Sequence, residues 1–461
     1  METPTRKRRA ETESIKQTGE ILELCRRIEK EDVGADDLFE KIKSRYEALD
    51  DQEKAFLFRG MVDEIEVPRE EVSPLLKTML QCKEEDPLWA GLLAELRKKV
   101  YSPRIRLFRK FSRFHGGLKF LLDFRRDLLS VRRYIRFDLG ALDSDIVFLF
   151  EMWFEEGFLY LEEITLNSSY NQIALIKDRD LVHPMASIEE MGQRLGRDRR
   201  CFVLYHRLLP YEPIIFIEVA LTEGFARSIS EIMAADQGEK RSGRVDTAIF
   251  YSINNTQNGL AGLGMGKILI GKVVDYIRKE DERIKNFATL SPVPGFWKGY
   301  LRPLLEGKDE NFTLKQGDIL SFFPKKTAEK ILDREGGEEK DPERFNSVLL
   351  RLLGDEPWAE DPGLTRELST PLVRIMYHYI TAEKNPQKKP LNPVAGFHLG
   401  NGATVSLKNI NFLANPSPRG LKESCGMMVN YVYTSNWLSQ IMRSFRRFEG
   451  IEIKGLLGRR H

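Results

Sequence analysis

Cysteine is scarce: the 461 residues hold four, at 25, 82, 201 and 425, with no Cys-x-x-Cys pair. That spacing argues against a disulfide framework and against thiolate zinc sites, and suits a reducing compartment. Histidine is scarce as well. The six, at 115, 183, 206, 378, 398 and 461, form no His-x-x-x-His or Glu-x-x-His arrangement, so no helix face carries two metal ligands and no metal is expected. Long apolar runs are missing too. IVFLFEMWF at 146–154 and PIIFIEVAL at 213–221 are each interrupted by glutamate and fall far short of the ~20 residues a spanning helix needs. No membrane segment is expected.

Charge of one sign is not in excess. With 72 basic against 70 acidic side chains, the chain has no overall field to draw it to nucleic acid or an anionic bilayer, so any anion site must be local. The start, METPTRKRRAETES, has a basic run with no apolar core behind it. It is not a secretory signal and reads as a solvated, disordered tail over 1–14. The closing GRRH matches no peroxisomal or retention signal.

What is present is an ordinary foldable composition, 41% hydrophobic and 10% aromatic, enough for about two to three domain cores. From about residue 15 to 155 apolar residues recur at spacings of three and four, in ILELCRRIEK, DDLFEKIKSRYEAL, VSPLLKTMLQ, PLWAGLLAELRKKV and FLLDFRRDLLSVRRYI, which predicts helices. Strand-like CFVLYHRLL, PIIFIEVAL and TAIFYSI follow between 201 and 253. The boundary falls near 156, giving a helical domain over 1–156 and a mixed domain over 157–461. EGGEEKDPE at 335–343 and EKNPQKKP at 383–390 read as exposed loops, with a helix PLVRIMYHYIT at 371–381 between them. Between Tyr101 and Asp138 stand eleven Arg or Lys against three Asp. Such a face more often packs through its stems than binds nucleic acid.

TAIFYSI is a candidate buried strand and KILIGKVVDYIRKE, 267–280, an amphipathic helix. NNTQNGLAGLGMG between them carries glycines at 259, 262, 264 and 266. A strand, a glycine-rich turn and a helix N-terminus make a geometry that cradles pyrophosphate, although no Walker or dinucleotide fingerprint is matched and a packing turn is the alternative. NFATLS, 286–291, should return parallel to TAIFYSI, and Ser291 would stand at its carboxyl end, where ligands of open α/β sheets gather. His398, in LNPVAGFHLGNGA with no charged neighbour between 391 and 403, is on pattern alone a core histidine.

HPMASIEEMGQRLGRDRRCFVLYH, EPIIFIEVALT, AIFYSINNTQNGLAGLGMGKILIGKVV, LSPVPGFWKGYL, NPVAGFHLGNGA and SCGMMVNYVY, spanning 183–433, resemble blocks of the malonyl-CoA decarboxylase family in the same order. The resemblance implies an α+β protein: an all-helical N-terminal domain through which the chain forms homo-oligomers, dimers or tetramers, then a catalytic domain similar to the GNAT acetyltransferase fold. It places coenzyme A phosphates on the glycine-rich turn, at Gln257, Gly259, Gly262, Gly264, Gly266 and Lys267. It places catalysis on His398, Ser291 and Tyr431. Gly264 stands where some members carry a glutamate.

The implied reaction converts malonyl-CoA to acetyl-CoA and CO2 through a thioester enolate stabilised by His398 and Ser291. It uses no cofactor or metal, since coenzyme A is part of the substrate, and a bacterial-type cytoplasmic enzyme is the simplest reading. His398 would donate to the thioester oxygen or protonate the α-carbon, and Ser291 would orient the leaving carboxylate with a neutral hydrogen bond. Asn401 would fix the imidazole tautomer or only turn the chain, and Arg199 and Arg200 would reach the phosphates. The alternatives are an acyl-CoA-dependent acyltransferase, a non-catalytic acyl-CoA sensor, and a serine hydrolase, which the absence of a Gly-x-Ser-x-Gly elbow disfavours.

Overall fold

A computed structural model describes residues 4–30, 34–82, 87–182, 184–185, 187–196, 198–233, 245–333, 342–354 and 356–434. His183, most of the 335–343 loop and the first three residues of the expected tail lie outside them; the rest of that tail, from Pro4, is not irregular but opens a helix that runs to Lys30. Two compact units are present. The first comprises Met1–Tyr160 with Leu204–Ile214 and Asn255–Met265, and the second Leu161–Val203, Ile215–Asn254 and Gly266–His461. The glycine-rich turn thus folds mostly with the helical unit.

That unit holds eight helices among the described residues: α1 (Pro4–Lys30), α2 (Ala35–Glu47), α3 (Asp51–Glu64), α4 (Arg69–Gln81), α5 (Trp89–Lys99), α6 (Pro103–Phe111), α7 (Gly117–Val131) and α8 (Gly140–Trp153). Local chemistry sets their starts. Asp50 accepts from the Glu53 amide while the Glu53 carboxylate accepts from the Asp50 amide, closing a capping box on α3. Ser102 caps α6, whose first residue is a proline with no N–H to lose. Phe39, Tyr46, Phe58, Phe108, Phe111, Phe120 and Phe124 are buried around α7, with ring centroids 4.9 Å apart for Phe58 and Phe124. Their helical spacing was the sequence signal, and their joint burial drives the unit together.

The arginine-rich segment is mixed: Arg104 and Arg125 pack inside, as the packing alternative expected, whereas Arg106, Arg109, Arg113, Arg126, Arg132, Arg133 and Arg136 are exposed. Arg104, 1% exposed, donates to Asp145 at 2.7 Å, Glu66 at 2.5 Å and the Ile65 carbonyl at 2.9 Å. Arg125, 4% exposed, donates to Asp143 at 2.8 Å. Buried guanidinium groups persist only with their donors answered in this way.

The mixed part follows the expected order of strands and helices. Its strands are β1 (Leu159–Ile164), β2 (Arg199–His206), β3 (Leu209–Thr222), β4 (Thr247–Asn255), β5 (Asn286–Thr289), β6 (Ser291–Pro292), β7 (Ala403–Thr404), β8 (Ile410–Asn411), β9 (Met428–Val429) and β10 (Val432–Tyr433). Seven form one sheet in the order β1-β2-β3-β4-β5-β10-β7, and three form a small sheet, β6-β9-β8. β4 and β5 are parallel, with the helix Met265–Glu280 between them in sequence, as the hydrophobic pattern predicts. Register ends at Phe250 opposite Thr289. There the strands part. Tyr251–Asn254 continue in β4, whereas Ser291 turns away to pair with Val429.

The charged segment 383–390 departs from expectation at its first residue. Glu383 is 1% exposed and accepts from Tyr300 Oη at 3.0 Å, the Thr313 amide at 2.9 Å and the Leu314 amide at 3.1 Å. Three donors aimed at one carboxylate make burial tolerable and hold it below the usual glutamate range despite desolvation. The remainder of the segment is a turn closed by a bridge between Lys384 and Pro390.

Candidate active site

Ser291 and His398 are 107 residues apart in sequence, yet Ser291 Oγ lies 3.0 Å from His398 Nε2. One side chain joins their elements. His398 rides on the helix Pro393–Gly400, whose N-cap, Asn392, accepts from the Ala395 amide at 2.9 Å. The other end of the Asn392 amide donates to the Pro294 carbonyl at 2.9 Å, three residues beyond Ser291. Asn392 is wholly buried, and its double use fixes the histidine helix to the serine segment.

Around this pair the structure brings in residues that the sequence reading missed. Tyr433 Oη lies 3.0 Å from His398 Nδ1. Ser291 Oγ donates to Thr289 Oγ1 at 2.9 Å. Tyr433 sits on β10 and Thr289 on β5, paired neighbours in the large sheet. A period of two from Tyr431 to Tyr433 and from Ser291 back to Thr289 is the signal that could have found both.

Tyr431, which the resemblance sets among the catalytic residues, meets the pair through its ring. Its ring stacks on the imidazole, centroids 4.8 Å apart at 25°, and its buried hydroxyl has no hydrogen-bond partner among the described residues. A ligand oxygen could answer that donor. Among the described residues Asn401 makes no hydrogen bond to the imidazole; its backbone amide closes the helix end on the Phe397 and His398 carbonyls, so it turns the chain.

Burial without a charged partner lowers the His398 pKa from 6.5 to about 3. The imidazole is therefore neutral at ordinary pH, which disfavours a resting imidazolium as the acid. Stability follows with a definite sign. Below pH 6.5 the unfolded chain binds a proton that the folded one refuses until about 3. The contribution is whole above 6.5 and is lost as pH falls, by about 1.4 kcal/mol per unit. Melting curves from pH 7.5 down to 4.5 should fall more steeply for the wild type than for His398→Gln, which has no such titration; parallel curves would contradict the assignment.

The six positions expected at the coenzyme separate into two groups. Gln257 is 2% exposed, its amide donating to Glu212 at 3.3 Å and to the Pro213 carbonyl at 3.2 Å. A Cβ on Gly259 would lie 2.1 Å from the Leu122 carbonyl oxygen, and Arg125 donates to the Gly259 carbonyl at 2.6 Å. These two hold the turn against α7. Gly266 likewise makes room, since a Cβ there would lie 2.3 Å from the Phe397 ring. Gly262 and Gly264, with φ of +86° and +74°, are exposed with open space around them, and Lys267 is exposed in the first turn of the next helix. Positive φ is why glycine is needed at both turn positions.

Arg200 is not free for a phosphate. It is paired with Glu163 at 2.5 Å and with Glu280, and Arg199 is buried at 3%. Beside Pro292 and Pro294 a cleft of about 500 Å³ opens, with apolar Leu181, Ile229, Met233, Val394 and Met428 and polar Arg194, Asn415, Ser417, Arg419 and Glu423 in its walls.

With this geometry in view, comparison with known proteins is specific. The family models for the malonyl-CoA decarboxylase C-terminal and N-terminal domains match residues 157–450 and 68–154. The mitochondrial malonyl-CoA decarboxylase of the goose Anser anser anser is 35% identical over 363 residues, 77% of this chain and 69% of that one. The rat protein is 34% identical over 367 residues, 77% and 71%. The crystal structure of malonyl-CoA decarboxylase from Rhodopseudomonas palustris superposes with a TM-score of 0.73 at 28% identity, covering 93% of this chain and 96% of that one. The Agrobacterium vitis enzyme gives 0.72 at 29% identity, with 92% and 95% covered. The chain belongs to the malonyl-CoA decarboxylase family.

Proposed function

We propose that this chain decarboxylates malonyl-CoA to acetyl-CoA and CO2, with the enolate oxygen held by His398 and Ser291. The observation that carries the proposal is a neutral, buried imidazole with one ring nitrogen on Ser291 and the other on Tyr433. As the bond between the carboxylate and the α-carbon breaks, its electrons move onto the thioester oxygen and CO2 departs. That oxygen gains charge in the transition state, and His398 Nε2–H, which rests on Ser291 Oγ, is a neutral donor that would turn from the serine to it. The Ser291 hydroxyl can turn to the same oxygen once charge makes that bond the stronger one.

A charged residue on the carboxylate would favour the substrate over the transition state, and a serine avoids this. The α-carbon then takes its proton from water, because a neutral imidazole is a donor and not an acid near pH 7. Tyr431 would present its hydroxyl to the acyl group, and the exposed amides at the start of the helix Met265–Glu280, with Lys267, would face coenzyme phosphates. The thioester is its own electron sink, so the step calls for no cofactor beyond the coenzyme A that the substrate carries.

The test is to incubate the chelator-treated protein with malonyl-CoA and follow acetyl-CoA and CO2 by mass spectrometry. Equimolar formation of both supports the reading. Binding without turnover would favour an acyl-CoA sensor, and acetyl-CoA consumption that depends on an added amine would favour an acyltransferase.

Self-association through the helical unit is the second part of the reading. Leu76, Leu80 and Trp89 are 44%, 87% and 45% exposed on α4 and α5, and α5 buries none of its residues. A helix pair left this apolar is a candidate interface. Light scattering should give a dimer or tetramer for the wild type and a smaller species for Leu80→Glu; a monomeric wild type would exclude the interface.

A further inference from the structure

Thr289 is completely buried, and its hydroxyl uses every hydrogen-bonding position it has. It donates to the Val429 carbonyl at 3.3 Å, accepts from the Tyr431 amide at 3.1 Å and accepts from Ser291 at 2.9 Å. A hydroxyl has one proton and room for two acceptor bonds. The carbonyl can only accept and the amide can only donate, so the remaining place on Thr289 must accept, and Ser291 must donate to it.

The consequence passes along the chain of contacts. Ser291 has one proton and has given it to Thr289, so towards His398 it can only accept. Nε2 must therefore carry hydrogen, and Nδ1, left bare, accepts from the Tyr433 hydroxyl. Hydrogen-bond direction runs one way, from Tyr433 through His398, Ser291 and Thr289 to the Val429 carbonyl.

A buried serine and histidine 3.0 Å apart can do two things to a thioester. With Nε2 bare, the histidine takes the serine proton as Oγ attacks the thioester carbon, which is hydrolase chemistry. With Nε2 protonated it can only donate, which serves an enolate. We propose that Thr289 is a positioning residue that holds His398 in the Nε2-protonated tautomer and so prevents Ser291 from attacking the acyl-CoA thioester. The role rests on the thioester substrate proposed above.

Thr289→Val keeps the shape and removes the acceptor. Ser291 then donates to Nε2, and the ring proton moves to Nδ1, facing Tyr433. In that variant the serine Oγ–carbon bond forms as the carbon–sulfur bond breaks. The serine proton passes through Nε2 to the departing coenzyme A sulfur, and water then cleaves the acyl-serine ester to give a carboxylic acid and the free hydroxyl. Thioester and water become acid and thiol, with no oxidant or reductant.

The experiment compares wild type, Thr289→Val and Thr289→Ser. Nitrogen-15 NMR of histidine-labelled protein, with the His398 signal assigned by its loss in His398→Gln, reads the tautomer without any substrate. Free thiol release from acetyl-CoA reads hydrolysis. The wild type and Thr289→Ser should show Nε2 protonated and no thiol release. Thr289→Val should show Nδ1 protonated, a fall in decarboxylation kcat of about ten-fold or more at little-changed KM, and thiol release about ten-fold or more above the wild type.

A wild type protonated at Nδ1 would overturn the proposal outright, and this arm decides even if Thr289→Val does not fold. A folded Thr289→Val with an unmoved tautomer and no thiol release would overturn it as well. If the wild type is protonated at Nε2 but leaves malonyl-CoA unchanged, the tautomer assignment stands, while the substrate reading and the protective role built on it fall.

Discussion

His398→Ala should lower kcat for malonyl-CoA by about a hundred- to a thousand-fold, the usual cost of losing one preorganised donor to an oxyanion, while acetyl-CoA affinity changes little. The hydrogen bonds of the ring go to Ser291 and Tyr433. The Tyr431 and Phe397 rings pack against it. His398→Gln, which retains an N–H near Ser291, should recover part of the loss. Steady-state kinetics with a parallel melting curve separate this from a core role. If activity and thermal stability fell together and acetyl-CoA binding fell with them, His398 would be a packing residue.

Gly259→Val should be the most damaging single change in the glycine-rich turn, costing about 3 kcal/mol or preventing folding. Any Cβ at this position points at a backbone oxygen, Leu122 O, at 2.1 Å, and a carbonyl inside α7 cannot move aside as a flexible side chain could. The change also disturbs the Gly259 carbonyl that answers Arg125. Gly262→Val strains a left-handed backbone but meets nothing, and should cost less stability while weakening all coenzyme A thioesters alike. Denaturant melts and acetyl-CoA titrations on both variants would show the contrast. A stable Gly259→Val with weakened coenzyme binding would return that glycine to the ligand.

The elements of this protein were legible because each depends on local pattern. Spacings of three and four placed the helices, and the strand, turn and helix around 247–280 lay in contiguous sequence. The strand pattern set Ser291 at a carboxyl end, the resemblance added His398, and the two side chains meet. Less legible was anything decided by a partner far along the chain. Glu383 looks like a solvent-facing loop acid until Tyr300, Thr313 and Leu314 supply donors from 69 to 83 residues away. The resemblance names Tyr431, and nothing in VNYVY shows that the Tyr433 hydroxyl is the one that meets the imidazole. Gln257 and Gly259 carried the composition of a binding turn, and only the approach of α7 shows that they pack.

The strand near residue 430 bears on how the protein is made. β10 occupies the place between β5 and β7, and β9 lies between β6 and β8, so one stretch of six residues, Met428–Tyr433, completes both sheets. A growing chain can finish its helical unit, whose last segment ends at Met265, and pair β4 with β5 well before that stretch leaves the ribosome. Until then β5 shows an open edge, and the imidazole lacks Tyr431 and Tyr433. Synthesis therefore passes through a stage with most of the enzyme folded and no working centre, when an unpaired parallel strand is exposed to other chains. Ribosome-bound intermediates stalled before and after residue 433 would differ most in their tendency to associate.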